Sequence, residues 1–174
     1  MTQLTTHPGL PESARAAVGF AACAHRKQKR KYTGEPYVNH CQSVAFIAYQ
    51  YTGDLDVILA AILHDTVEDT DVTADYIREV FGERATRLVL EVTDPAVEGN
   101  RDFRKRLARE HVANSSPEGA AIKLADLIDN SRSILDRDPE FAKVYLEEKR
   151  LLMQHMGDAD PTLLAMATAI VEAA

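Results

Sequence analysis

LDVILAAILHDTVEDTDVTAD, Leu55 to Asp75, is the stretch around which the rest of the chain is read. Leu55, Ile58, Leu59, Ile62 and Leu63 recur at i, i+3, i+4, i+7 and i+8, the spacing of one buried helical face. At about 100° per residue, His64, Asp65 and Glu68 fall together on a neighbouring face, with Asp69 at its edge. An apolar helix therefore ends in an imidazole and three carboxylates, a cluster that is costly to desolvate unless something positive sits among them. A divalent metal ion is the simplest such partner. A His-Asp pair alone is a weak signal, and Glu68, Asp69 and Asp71 equally describe a solvated helix end. The weight must come from elsewhere in the chain.

Working outward, the 174 residues are expected to form one domain, 1–174, large enough to bury about 70% of the unfolded surface. Hydrophobic residues make up 45% and charged residues 27%, a globular balance that argues against disorder. There is no Trp, aromatics are few, and charges fall at helical spacing, which points to an all-α protein. A net charge of −7 argues against a nucleic-acid binder held by phosphate contacts, so any polyanionic ligand needs a local basic patch. Cys23 and Cys41 show neither a disulfide framework nor a zinc motif and are expected as small core residues. Residues 1–12 carry no signal-peptide pattern, and no apolar run approaches the ~18 residues of a membrane span. A cytoplasmic location is expected.

A first helix is expected from Pro11 to about Arg30, closing on Arg26, Lys27, Lys29, Arg30 and Lys31. Such density of cations in an acidic protein suggests an anion site, with Arg30 and Lys31 nearest the following break. Thr33 to Pro36 is a turn, and the spacing predicts a second helix over about Pro36–Tyr51 that carries His40. Gly53 ends it and Asp54 caps the organising helix. Thr73 caps a short helix, Ala74–Phe81, which stops at Gly82; another runs Glu83–Thr93, and residues 94–100 form a loop. The helix Arg101–Ala113 is strongly basic through Arg101, Arg104, Lys105, Arg106 and Arg109, a pattern that also describes a solvated face.

Ser115-Ser116-Pro117-Glu118 opens the second informative helix. GAAIKLADLIDNSRSIL, residues 119–135, is apolar on most sides yet carries a stripe of Lys123, Asp126, Asn130 and Ser133. A buried Asp126 must be paired or bind a metal. Two further helices, about Pro139–Met156 and Pro161–Glu172, are expected to serve packing. Together His40, His64, Asp65 and Asp126 supply two imidazoles and two carboxylates from three helices. That set suits Mn²⁺, Fe²⁺, Co²⁺ or Zn²⁺ with coordination positions left open, and Glu68 and Asp69 lie one turn on, placed to orient a water or take its proton.

These residues resemble a known family. RK-YTGEPYVNH (30–40), AAILHDTVEDT (60–70), LVLEVTD (88–94), FRKRL (103–107), SSPEGAAIKLAD (115–126) and Asn130 are similar to the HD-domain hydrolases of the RelA/SpoT type, and above all to the stand-alone small alarmone hydrolases. The matching segments span about residues 16–150. The resemblance implies a helical HD-domain bundle of about eight to ten helices. It also implies one Mn²⁺ on His40, His64, Asp65 and Asp126, and a catalytic acidic pair in Glu68 and Asp69. It further implies removal of the 3′-diphosphate of guanosine tetra- or pentaphosphate, with GDP or GTP and pyrophosphate as products. Arg30 and Lys31 match the pair flanking the base, Asn130 the ribose contact, and Arg101, Lys105 and Lys143 basic positions facing the phosphates. The partner implied is thus a guanine nucleotide, with neither nucleic acid nor membrane. At this length the separate synthetase and regulatory domains of the long members are not expected.

The chain departs from the family at Cys41, where Pro is usual, and at Leu127-Ile128-Asp129 after the KLAD motif. Asp129 shares a helix face with Asp126, and its charge is expected to weaken a polyphosphate or alter the nucleoside accepted. Two other readings follow: a phosphohydrolase for another nucleotide such as NADPH, and a helical nucleotide sensor without chemistry.

Overall fold

Ten α-helices organise residues 6–173, the part of the chain that the computed structural model describes. They are α1 (Arg15–Ala24), α2 (Val38–Thr52), α3 (Leu55–Leu63), α4 (Thr66–Asp69), α5 (Ala74–Phe81), α6 (Glu83–Val92), α7 (Arg101–Val112), α8 (Pro117–Arg137), α9 (Pro139–Met153) and α10 (Pro161–Glu172), preceded by a 3-10 turn at Glu12–Ala14. The protein is all-α: the described residues contain no strand, only an isolated antiparallel bridge between Lys29 and Pro36. No helix among them is long and apolar enough to cross a membrane. Of residues 1–12, read for a signal peptide, the first five lie outside the described range.

Local chemistry sets the boundaries. Asp54 accepts from the Asp56 N–H to open α3, Thr73 from Tyr76 N–H to open α5, and Ser116 from Gly119 N–H to open α8, with Pro117 next. Gly53, at φ +61°, closes α2 by donating its N–H to Tyr49 O, a left-handed position suited to glycine.

Helix α8 is the centre of the packing. It touches α2, α3, α6, α9 and α10, and Leu124, Leu127 and Ile128 are fully buried, as are Ile58, Ile62 and Leu63 of α3. Each such side chain contributes about 1.5–3 kcal/mol on leaving water. α3 lies between α1, α2, α6 and α8, so Val57, Ala60 and Ala61 are buried too.

The expected single face of α3 is therefore too narrow, and one of its members is misplaced: Leu55 is 42% exposed, at the first turn and beyond the core edge. α1 stops at Ala24 rather than Arg30, because no apolar side chain follows until Tyr32 and further helix would bury nothing. The cations of residues 26–31 consequently sit in a loop. There Arg30 N–H donates to Glu35 O and Gly34 N–H to Arg30 O. Cys41 is buried as expected, but Cys23 is exposed.

Candidate metal centre and catalytic cleft

The helix carrying the His-Asp pair bends where the pair stands. α3 ends at Leu63; His64 stays helical (φ −53°, ψ −38°), Asp65 flattens to φ −95°, ψ −2°, and α4 restarts at Thr66. Thr66 Oγ1 donates to Leu63 O at 2.6 Å and stabilises the bend. His40 comes from the first turn of α2, and Asp126 from the middle of α8.

Their side chains converge. His40 Nε2 lies 3.2 Å from Asp126 Oδ1 and 3.7 Å from Asp65 Oδ2. His64 Nε2 lies 2.9 Å from Asp65 Oδ2 and 3.8 Å from Asp126 Oδ1. His40, His64 and Asp65 each offer an atom within 4.8 Å of the others. Atoms bonded to one divalent ion at about 2.0–2.2 Å stand about 3 Å apart when at right angles, so the spacing suits a shared cation.

Each of the four is also fixed by a hydrogen bond, the imidazoles through the nitrogen facing away from the centre and the carboxylates on the oxygen that faces it. His40 Nδ1 donates to Asp129 Oδ2 at 2.7 Å, and His64 Nδ1 donates to Ala61 O at 2.9 Å. Tyr37 OH donates to Asp65 Oδ2 and Asn130 Nδ2 to Asp126 Oδ1, both at 2.6 Å. With both Nδ1 atoms donating, each Nε2 is left with its lone pair turned to the centre. Both Nε2 atoms are buried and make no hydrogen bond among the described residues. Two orphaned imidazole nitrogens beside two carboxylates fit a divalent metal, and hydrogen bonds to the ligand side chains are how proteins orient metal ligands.

The electrostatics agree. Burial opposes charge on His64, but Asp65 and Asp126 outweigh it and raise its pKa well above the ordinary imidazole value. Burial likewise opposes ionised Asp65, yet His64 beside it holds the carboxyl at about 2. The four groups thus prefer a state with two negative charges neutralised at the centre, by protons or by a cation.

Glu68 and Asp69 of α4 line the cleft that opens from this corner, with Tyr37, Asp94, Lys105, Arg109, Lys123, Asn130 and Lys149. Glu68 Oε2 accepts from Asp94 N–H at 3.0 Å. Desolvation and then the Asp94 carboxylate push the Glu68 carboxyl above its ordinary value. Asp69 Oδ2 accepts from Gln28 Nε2 at 2.8 Å, and Gln28 Oε1 lies 2.7 Å from His25 Nδ1. Asp94 is gripped by Lys123 at 3.0 Å and Lys105 at 3.2 Å.

The basic residues read from the sequence fare unevenly. Lys105 lines the cleft, and Arg101 lines an adjoining cavity that shares Glu68, Asp94 and Lys105 with it. Asn130 lines the cleft and Arg30 reaches it, donating to Asn130 Oδ1 at 2.5 Å, but the half-buried Arg30 is turned inward onto Asp129 at 3.2 Å. Lys31 is exposed against Tyr32 and Asp138. Lys143 stands outside the cleft, on the solvent side of α9, paired with Glu140 one turn before it. Lys149, six residues on and about 120° round the same helix, lines the cleft instead.

Asp129 also differs from expectation. Its carboxylate is not a free negative charge facing substrate but the anchor of His40 and the partner of Arg30. Nothing in the sequence pattern singles out Gln28 or Lys149, and Tyr37 and the anchoring role of Asp129 are likewise missed. Tyr37 has a local signal, since it stands three residues before His40. Gln28 meets Asp69 across 41 residues, for which no local pattern exists.

Comparison with known proteins accords with this geometry. Residues 17–152 match the HD domain family. The chain is 45% identical over 131 residues to the human guanosine-3′,5′-bis(diphosphate) 3′-pyrophosphohydrolase MESH1, covering 71% of this chain and 70% of that protein. It is 37% identical over 152 residues to the Aquifex aeolicus guanosine-3′,5′-bis(diphosphate) 3′-pyrophosphohydrolase, covering 84% of this chain and 20% of that one. A solved structure of a metazoan ortholog of SpoT, described as hydrolysing ppGpp, superposes with a TM-score of 0.85 at 32% identity, over 97% of this chain and 98% of its own. In sequence and in fold the chain belongs to the HD-domain family, among the SpoT-like hydrolases.

Proposed function

We propose that this protein is a Mn²⁺-dependent hydrolase that removes the 3′-diphosphate of guanosine tetra- and pentaphosphate, with the whole chain acting as one hydrolase domain. The reading rests on one observation: two buried, back-anchored imidazole nitrogens that make no hydrogen bond among the described residues converge on two carboxylates beside an acidic pair. Relatives that carry this activity in their names supply the substrate.

His40, His64, Asp65 and Asp126 would hold the ion. When bound, a divalent cation lowers the pKa of a water and neutralises phosphate charge. Glu68, its carboxyl already raised, is placed to take the proton of the attacking water, and Asp69 is held by Gln28 at a second point of the same face. Water adds to phosphorus, the bond from phosphorus to the ribose 3′ oxygen breaks, and pyrophosphate leaves, with the proton passing to the freed 3′ oxygen to give the hydroxyl of GDP or GTP. Cations of the cleft wall stabilise the charge that builds on the diphosphate. Asn130 stands between Asp126 and Arg30, placed to contact the ribose.

The case for another nucleoside, a free charge at Asp129, loses its basis because that carboxylate is occupied by His40 and Arg30. The intact acidic pair beside the corner weighs against a sensor without chemistry. The test is incubation of purified, Mn²⁺-loaded protein with ppGpp and chromatography of products. GDP and pyrophosphate in equal amounts are expected; metal bound without turnover would reject the assignment.

A further inference from the structure

The basic side chains around the cleft fall into two sets. Most already have an anionic partner: Lys105 and Lys123 have Asp94, Arg101 has Glu148 at 2.6 Å, Arg30 has Asp129, and Lys31 has Asp138. To bind a phosphate, each of these must share or give up a carboxylate. Arg109 of α7 and Lys149 of α9 differ, as does Arg104 in the adjoining cavity, although Arg104 is exposed to solvent. Arg109 and Lys149 are both half-buried, both line the same cavity as Asp65, Glu68 and Asp126, and among the described residues neither side chain has a hydrogen-bond or ion-pair partner. Lys149 Nζ instead lies 5.1 Å from the centre of the Tyr145 ring.

An unpaired, half-buried cation is costly, and this chain has carboxylates in surplus with which to pair it. Burial lowers the Lys149 pKa; Asp126 and Asp94 oppose this from across the cleft, but the neighbouring Lys123 and Lys105 add to it, so the ammonium is under-compensated where it stands. An arriving polyanion removes that penalty without breaking any ion pair. A guanidinium fork and a flexible ammonium, from two helices that pack together, suit the two phosphates of a diphosphate.

We propose that Arg109 and Lys149 form a diphosphate subsite on the α7–α9 wall of the cleft, while the paired cations act mainly as scaffold. This rests on the hydrolase reading only for the identity of the diphosphate ester; the subsite itself requires binding, not turnover.

The test replaces each residue by methionine, which keeps length and removes charge, and titrates the full-length protein with inorganic pyrophosphate by calorimetry, metal-free and with Mn²⁺. Orthophosphate is titrated in parallel, and KM and kcat for ppGpp are measured. Arg109→Met and Lys149→Met should each weaken pyrophosphate about ten- to a hundredfold in both metal states, the range of a lost charged hydrogen bond. Orthophosphate should be affected less, and KM should rise with kcat changed far less. Lys149→Arg should restore most of the affinity, and Lys143→Met, outside the cleft, should change nothing. If Lys149→Met does not fold, Lys149→Gln is read in its place. Unchanged pyrophosphate affinity in folded variants with the parent's Mn²⁺ content overturns the subsite, as does a parent protein that binds no pyrophosphate. A parent that binds pyrophosphate but leaves ppGpp intact overturns the substrate assignment and leaves the subsite standing.

Discussion

At the α2–α3–α8 corner every candidate ligand is fixed by a hydrogen bond, whereas on the α7–α9 wall Arg109 and Lys149 have no hydrogen-bond or ion-pair partner among the described residues. The corner brings its donors to one point before any ion arrives, so a ligand there has little ordering entropy to overcome. The wall leaves its charges uncompensated until an anion comes. The contrast separates what must hold a small cation at fixed distances from what must accept and release a large, flexible anion. A rigid site serves the first task, and a site with unmet charge serves the second.

The largest expected effect breaks the corner outright. Asp65→Ala should remove metal and activity together, read as Mn²⁺ content by elemental analysis beside turnover; activity retained without metal would end the contrast. Next, Glu68→Gln should keep the metal but lower kcat by about 10²–10⁴, the usual worth of a positioned general base. Full activity in that variant would assign the proton transfer to another group.

Asp129→Ala tests the anchoring itself. It strips the acceptor from His40 Nδ1 and frees Arg30, and metal affinity should fall about ten- to a hundredfold with the helical content unchanged. Equal affinity in competition with a chelator would show that the ring needs no anchor.

The smallest effect sharpens the comparison from outside the cleft. Asp54 caps α3, the helix that delivers His64 and Asp65, and also binds Arg84 at 2.7 Å. Asp54→Ala should cost about 1 kcal/mol of stability. Burial pulls the Asp54 pKa up, but Arg84 and the Asp56 N–H hold it below the usual carboxylate value. A lowered folded-state pKa means that the cap contributes fully above the unfolded value and is lost as pH falls through the folded one. The stability gap between parent and variant should therefore be constant near neutrality and close only in acid. A gap that persisted at the acid limit would mean the loss was packing rather than charge.

Much of this was legible in the chain itself. The caps at Asp54, Thr73 and Ser116 stand where their side chains predict, because capping involves residues only two or three apart. His40, the His64-Asp65 pair and Asp126 could be chosen as ligand types because a buried helix tolerates such groups only for a reason. Where reading failed, the cause was distance or direction. The run Arg26–Lys31 looks like a helix end, yet the helix stops at Ala24 for want of apolar surface to bury. Lys143 and Lys149 lie on the same helix with the same charge, and only the packing of α9 on α7 and α8 decides which one faces the cleft.

The sequence by itself determined an all-α protein, the places where most of its helices begin, and the donor types of its metal corner, since 3.6-residue periodicity and capping act between near neighbours. Only the tertiary structure decided which charges are neutralised and which remain open. Arg30 meets Asn130 across 100 residues and Arg101 meets Glu148 across 47, and such pairings arise when helices pack, long after local preferences have been settled.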